Sequence, residues 1–364
     1  MKQSDFEFTK EELVLLANVQ YTALIAESKF TNDGWFWQSD EKKEANQNEI
    51  LNLKEAWVDQ WQKATWKLLE IENKPYTYDI LQVKLIAFNE STITYDKKII
   101  FSLECASFSA YYPLEEKDLE QKEKSEEKDK DSKSQVLDFD ETQYLNKLEI
   151  ILATIELPDN TLKNLKKYYK SYLNKVTSEL KTAWEKWSIL ILTISATVVV
   201  ALLTPMIAGA IGGLMGLSGI AATNAGLALL GGGSIATGGL GMAGGALFLM
   251  GGGALAGGTT GKLLLDENIK ELRKEVLVIS SAKLLSVVKY LAENKKINFR
   301  DIYTFLESLR NIQFKFEENL DKFVCLTETL DKEKYNNYKN NALIIGYSRK
   351  KILELLIDNK NSDA

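Results

Sequence analysis

Histidine is missing altogether from the 364 residues. Its absence removes imidazole proton shuttles, His-based catalytic triads and most transition-metal sites. Only two cysteines occur, Cys105 and Cys325. Two isolated thiols make neither a disulfide framework nor a zinc site, and they suit a reducing compartment. Glycine is almost absent from most of the chain, because 20 of its 22 copies lie between Gly209 and Gly261. Charge is absent from the same region: Ser188 to Gly261 is a run of 74 residues without Asp, Glu, Lys or Arg. The N-terminus, MKQSDFEFTKEELVLL, lacks the basic start and apolar core of a secretion signal, so the expectation is a chain that meets its membrane from the cytoplasm. The net charge of −6 leaves no basic excess for phosphate backbones, and nucleic acid is not an expected partner. Abundant Asn and Lys point to an AT-rich, bacterial genome.

What is present is dominated by that uncharged run. A membrane helix needs about 20 apolar residues, and soluble core elements are rarely longer than this without a charge. The run is therefore long enough for two crossings and a turn, or for three. Its first half, SILILTISATVVVALLTPMIA at 188–208, is aliphatic and β-branched; in lipid its backbone hydrogen bonds must close internally, which selects helix. Pro205 marks its end or a kink, and IGGLMGLSGIAATNAG at 211–226 supplies the bend. The second half, 227–257, is apolar but glycine-rich. Ile189, Leu190, Ile191, Val198, Val199, Val200, Leu202 and Leu203 are the lipid-facing candidates of the first crossing; Leu227, Leu229, Leu230, Leu247, Phe248 and Leu249 are those of the second.

The glycines have a pattern. Gly209 and Gly213, Gly212 and Gly216, Gly241 and Gly245, Gly253 and Gly257, and Gly257 and Gly261 are each four apart, and Ser234 with Gly238 extends the series. Small residues on successive turns let helix backbones approach closely, which is what holds helices together in lipid. The face suits packing against a partner helix, including a copy of itself. A phosphate-binding loop is the competing explanation, since the run ends in Gly261-Lys262. It fails at both diagnostic positions: Ala256 stands where the first glycine belongs and Leu263 where the magnesium-binding hydroxyl belongs. A hairpin buried inside a soluble helical protein is the other alternative.

The flanks agree with a membrane hairpin. Upstream, 158–187 begins with the helix start Pro158-Asp159-Asn160 and repeats Leu162, Leu165, Tyr169, Leu173 and Val176 at helical spacing. Its expected polar face carries Lys163, Lys166, Lys167, Lys170, Lys175, Lys181 and Lys186. Trp184 and Trp187 stand where aromatic rings favour the lipid–water boundary. Lys181, Lys186 and, downstream, Lys262 are candidate contacts for anionic headgroups. With Lys270, Arg273 and Lys274 following, both flanks fall on the cytoplasmic side, which requires an even number of crossings and puts both termini in the cytoplasm.

The remaining segments read as follows. Thr9 and Glu12 form a capping box before a first helix, and a second runs from about 40 to 72 with Trp57, Trp61 and Trp66 as core residues. Residues 76–112 are rich in β-branched and aromatic side chains and predict two to four strands, with turns near Asn89–Ser91 and Asp96-Lys97. The mixed-charge stretch 115–135 reads as a disordered linker. A short helix follows it, and the C-terminal third predicts helices over 265–294, 299–330 and 332–357, the second capped by Asn298. The expected fold class is mainly α: an elongated helical bundle with a central transmembrane hairpin and a small β element. The modules are 1–112, the linker 113–136, amphipathic helices at 137–187, the hairpin at 188–261 and a helical module at 262–364.

No catalytic, cofactor or metal residues are proposed by the sequence. Acidic pairs such as Glu115/Glu116 and Glu317/Glu318 read as solvated charge. The layout resembles the α-helical pore-forming toxins of the cytolysin A and haemolysin BL type, through SILILTISATVVVALL and GGGSIATGGLGMAGG over roughly 158–294; the glycine-rich hairpin is also similar to those of apolipoprotein L-type channel proteins. The resemblance implies a membrane-inserting, pore-forming protein that oligomerises. Without a secretion signal, and with strands and a charged linker in place of an unbroken N-terminal helix, it fits an intracellular self-killing or phage-defence effector, by analogy. The expected partners are anionic lipid, copies of the chain and a protein trigger at the N-terminal module. The alternative is a constitutive two-span inner-membrane scaffold or sensor without a pore.

Overall fold

The computed structural model describes residues 8–30, 40–68, 71–91, 94–111, 139–179, 274–297, 299–326 and 332–362. Among them lie the helices α1 (Lys10–Ser28), α2 (Asp40–Leu68), α3 (Tyr78–Glu90), α4 (Tyr95–Ser107), α5 (Glu141–Ile151), α6 (Thr161–Glu179), α7 (Lys274–Glu293), α8 (Phe299–Leu326) and α9 (Lys332–Ser362). A single 3₁₀ turn, Leu152–Ile155, continues α5. The protein is mainly helical, and no strand occurs among the described residues.

The capping box forms as expected. Thr9 Oγ1 accepts from the Glu12 amide at 3.2 Å, and Glu12 Oε2 accepts from the Thr9 amide at 2.7 Å, so two otherwise orphaned donors are satisfied reciprocally. The three tryptophans of α2 are buried. Trp61 meets Phe108 edge-on at 5.4 Å, and Trp66 packs on Tyr21 at 5.5 Å while its indole N–H donates to Asn73 O. The C-terminal helices fall where the periodicity places them; residues 265–273 and Asn298 lie outside the described residues.

The expected β element at 76–112 is wrong. Its described residues form α3 and α4. Thr77 and Thr94 take up extended backbone at the two N-caps, and Thr94 Oγ1 accepts from the Lys97 amide at 3.2 Å. The supposed turn at Asp96-Lys97 is therefore the first turn of a helix, while Ser91 does end α3. At α4 the misreading has a physical cause, whereas α3 buries only Leu81, Leu85 and Phe88 and carries Ile80, Val83 and Ile86 on its exposed side. From Ile99 to Ala110 every residue is buried, because α4 is surrounded by α1, α5, α6 and α7. A helix covered on all sides has no polar face, so its sequence loses the 3.6-residue period and looks like a buried strand.

Tyr111 and Phe139, the described residues on either side of the charged stretch, pack ring to ring at 6.1 Å, and both belong to an aromatic group with Trp57, Phe108 and Tyr144. Under them lies Glu27, fully buried at the end of α1. Its carboxylate accepts from Lys54 Nζ at 2.7 Å, from the Asp140 amide at 2.9 Å and from the Tyr111 hydroxyl. Tyr111 is held with a left-handed backbone, φ 68°, a conformation that disfavours a bulky residue and needs such anchoring.

Candidate functional site

The predicted membrane residues lie outside the described residues. This holds for the whole run 188–261, with its lipid-facing candidates from Ile189 to Leu249. It holds equally for the small-residue face, namely Gly209, Gly212, Gly213, Gly216, Ser234, Gly238, Gly241, Gly245, Gly253, Gly257 and Gly261. Trp184 and Trp187 at the expected boundary, and the headgroup candidates Lys181, Lys186 and Lys262, fall outside them too. The structure does describe the helices that precede and follow the run, α6 and α7. They pack directly on one another, and both pack on α4. Thr161 Oγ1 and the Tyr290 hydroxyl are 2.6 Å apart in the interior, and the Tyr168 hydroxyl bonds the Glu293 carboxylate. The apolar face of α6 is the expected one: Leu162, Leu165, Tyr169, Leu173 and Val176 are all buried.

Its basic face is not entirely a face. Lys166, read from sequence as a surface residue, is 5 % exposed. Its Nζ donates to Phe108 O at 3.1 Å and lies 3.8 Å from Glu141. Burial lowers its pKa to about 8, against the pull of Glu141 and assisted by the charges of Lys170 and Lys283. Lys163 and Lys170 are engaged with Glu149 and Glu141 at 3.2 and 2.6 Å. Lys175 lies over the Tyr172 ring at 5.3 Å.

A second buried charge ties α7 to α4. Lys283 Nζ bonds Glu104 Oε2 at 2.6 Å, with both side chains largely withdrawn from water. Burial raises the Glu104 pKa, and Lys283 opposes the rise. From α1, Gln20 Nε2 donates to Glu104 O at 3.2 Å, while Gln20 Oε1 has no partner. The buried hydroxyls of Ser102 on α4 and Ser281 on α7 are also without hydrogen bonds. The Tyr144 hydroxyl donates to Cys105 O at 3.2 Å. Burial pushes the Cys105 thiol well up, which makes it a poor nucleophile.

One of these residues left a signal in the sequence: Glu104 is the single charge between Lys98 and Glu115. Lys166 left none, since it is one of two adjacent lysines on a lysine-rich helix.

Other features carry little chemistry. Glu317 accepts from Gln313 and Glu318 pairs with Lys322, as solvated helix charges do; Glu115/Glu116 lie outside the described residues. No group of residues able to hold a metal ion occurs among the described residues. A cleft of about 530 Å³ lies between α1, α3 and the segment joining α2 to α3, and one of about 560 Å³ lies between α6, α8 and α9. The second is bordered by Lys175, Lys339, Lys350 and Lys351 together with Glu179 and Glu317, and is mixed in charge. Among the described residues no helix is long and apolar enough to cross a membrane. No family model, curated protein or solved structure matches this chain.

Proposed function

We propose that the protein is a conditional membrane inserter. In the resting state α6 and α7 are held in a helical bundle; on activation the run between them enters an anionic membrane as a hairpin, and hairpins associate through their glycine faces to permeabilise it. One observation carries this reading: the 74-residue run without a charge is flanked by two helices packed into a water-compatible bundle, the first with its apolar face buried and Lys163 and Lys170 outward. The proposed target is an inner membrane reached from the cytoplasm, as a toxin or self-killing defence effector would reach it. The resemblance to helical pore-forming toxins belongs to this proposal. No enzymatic step is included in it.

The test combines fractionation with vesicle leakage. The full chain is expected in the detergent-free soluble fraction and is expected to release dye from vesicles of phosphatidylglycerol and phosphatidylethanolamine. Gly241→Leu or Gly245→Leu should abolish release, because a leucine on the packing face separates the helices. Vesicles that stay intact at high protein loading would overturn the pore. Recovery only in detergent would point instead to a permanently anchored two-span protein.

A further inference from the structure

Helix α4 is surrounded by four helices, yet it does not carry an apolar surface throughout. Ser102, Glu104 and Ser107 of α4, and Ser109 just beyond it, are buried along with Cys105 and the apolar residues. Two lysines, one from each helix that adjoins the uncharged run, reach this interior. Lys283 of α7 reaches Glu104 at 2.6 Å, and Lys166 of α6 reaches Phe108 O at 3.1 Å. The arrangement is incompletely satisfied, since Gln20 Oε1, Ser102 Oγ and Ser281 Oγ lack partners in the same interior.

Such a seam is a poor way to gain stability. Desolvating two charges offsets most of their attraction, and apolar residues of similar volume in their place commonly stabilise a fold. Unpartnered buried hydroxyls add to the penalty. An interior built only for permanence would be apolar here.

We propose that the buried ties of Lys283 to Glu104 and of Lys166 to Phe108 are a release latch, which keeps α6 and α7 docked on α4 while leaving them easier to detach than an apolar seam would. The inference rests on the proposed function, and it adds where the resting bundle gives way. Each tie joins one flanking helix to α4 or to its C-cap residue Phe108, so loss of these contacts detaches α6 and α7 from α4 as a pair that stays packed on itself and on α9. The two lysines also repel each other, and Lys283 is among the charges acting on Lys166. Undocking returns both to water.

The experiment uses the full chain with two variants, Glu104→Leu/Lys283→Met and Glu104→Gln. Amide hydrogen exchange of α6 and α7 is followed in detergent-free buffer, and dye release from the same anionic vesicles is measured in parallel. The double variant, in which the tie between α7 and α4 is apolar, should slow exchange in α7 and in α6 packed on it about tenfold or more and reduce release by a similar factor. Glu104→Gln leaves Lys283 without its anion and should do the opposite, with faster exchange and greater release. Exchange in the double variant as fast as in the wild type overturns the latch. So does slower exchange with undiminished release. If the double variant does not fold, Glu104→Gln decides: unchanged exchange and release overturn the proposal. If the wild-type protein releases no dye at all, the permeabilising function falls, and the exchange arm still decides whether these contacts are the weak seam.

Discussion

Substituting Lys166 with methionine gives a pH-dependent signature that few other positions share. The lysine is buried with its pKa lowered to about 8, whereas the unfolded chain holds it near the ordinary value of about 10.4. As pH rises past 8 the folded state sheds this proton before the unfolded state does. The unfolded chain then binds more protons, so stability contributed by Lys166 rises with pH between about 8 and 10.4 and is lost as pH falls back through 8. At up to about 1.4 kcal/mol per pH unit, and half that at pH 8 where the folded lysine is half protonated, the gain between pH 8 and pH 9.5 is about 1.6 kcal/mol. Tyrosines complicate the range above about pH 10, so the window stops short of it. Lys166→Met keeps the aliphatic stem and removes the titration, although Phe108 O loses its donor. Urea unfolding of both proteins at about pH 7.5, 8.5 and 9.5 reads the residue by difference, because titrations remote from it cancel. The wild type should gain about 2 kcal/mol on the variant across this series. A difference flat to within about 0.5 kcal/mol would refute the buried, charged Lys166.

Three further outcomes follow from the fold. Replacing 114–136 with a few Gly and Ser residues should leave the helical and near-ultraviolet circular dichroism spectra unchanged. It should also stabilise the protein by about 1 kcal/mol in urea, since the chain ends already meet at Tyr111 and Phe139 and a shorter loop closes at lower entropic cost; collapse of the near-ultraviolet signal would show that the segment is structural. Thr9→Ala removes one half of the capping box and should lower stability by about 1 kcal/mol, measured as a shifted urea midpoint. Phe101→Ala, at a fully buried ring packed on Phe88 at 4.7 Å, should lower it by about 3–5 kcal/mol; a loss under about 1 kcal/mol would place α4 at the surface.

The legible parts of the sequence were those with a local physical signature. Thr9 with Glu12 announces α1 because the capping box is a contact across three residues. The leucines and tyrosines of α6 announce its buried face because one side of that helix sees water. Two features were hidden for the opposite reason. Helix α4 has no watered side, so Ile99, Ile100, Phe101 and Leu103 in close succession looked like a strand. Lys166 has the composition of a surface residue and is buried only because the end of α4 and Glu141 arrive above it from distant parts of the chain. Tertiary contacts of this kind leave no period in the sequence. The lone Glu104 in an apolar stretch was the nearest thing to a warning, since an isolated charge there must find a partner or an exit to water.

The enclosure of α4 has a consequence on the ribosome. Glu104 and Lys283 are separated by 179 residues. At a synthesis rate of about 5–20 residues per second, α4 waits roughly 10 to 40 seconds for the helix that completes its cover. For that interval a newly made, largely apolar helix stands with one flank uncovered, and the uncharged run is translated during the same wait. Translation speed and chaperone supply are therefore expected to govern how much of this protein reaches its folded form.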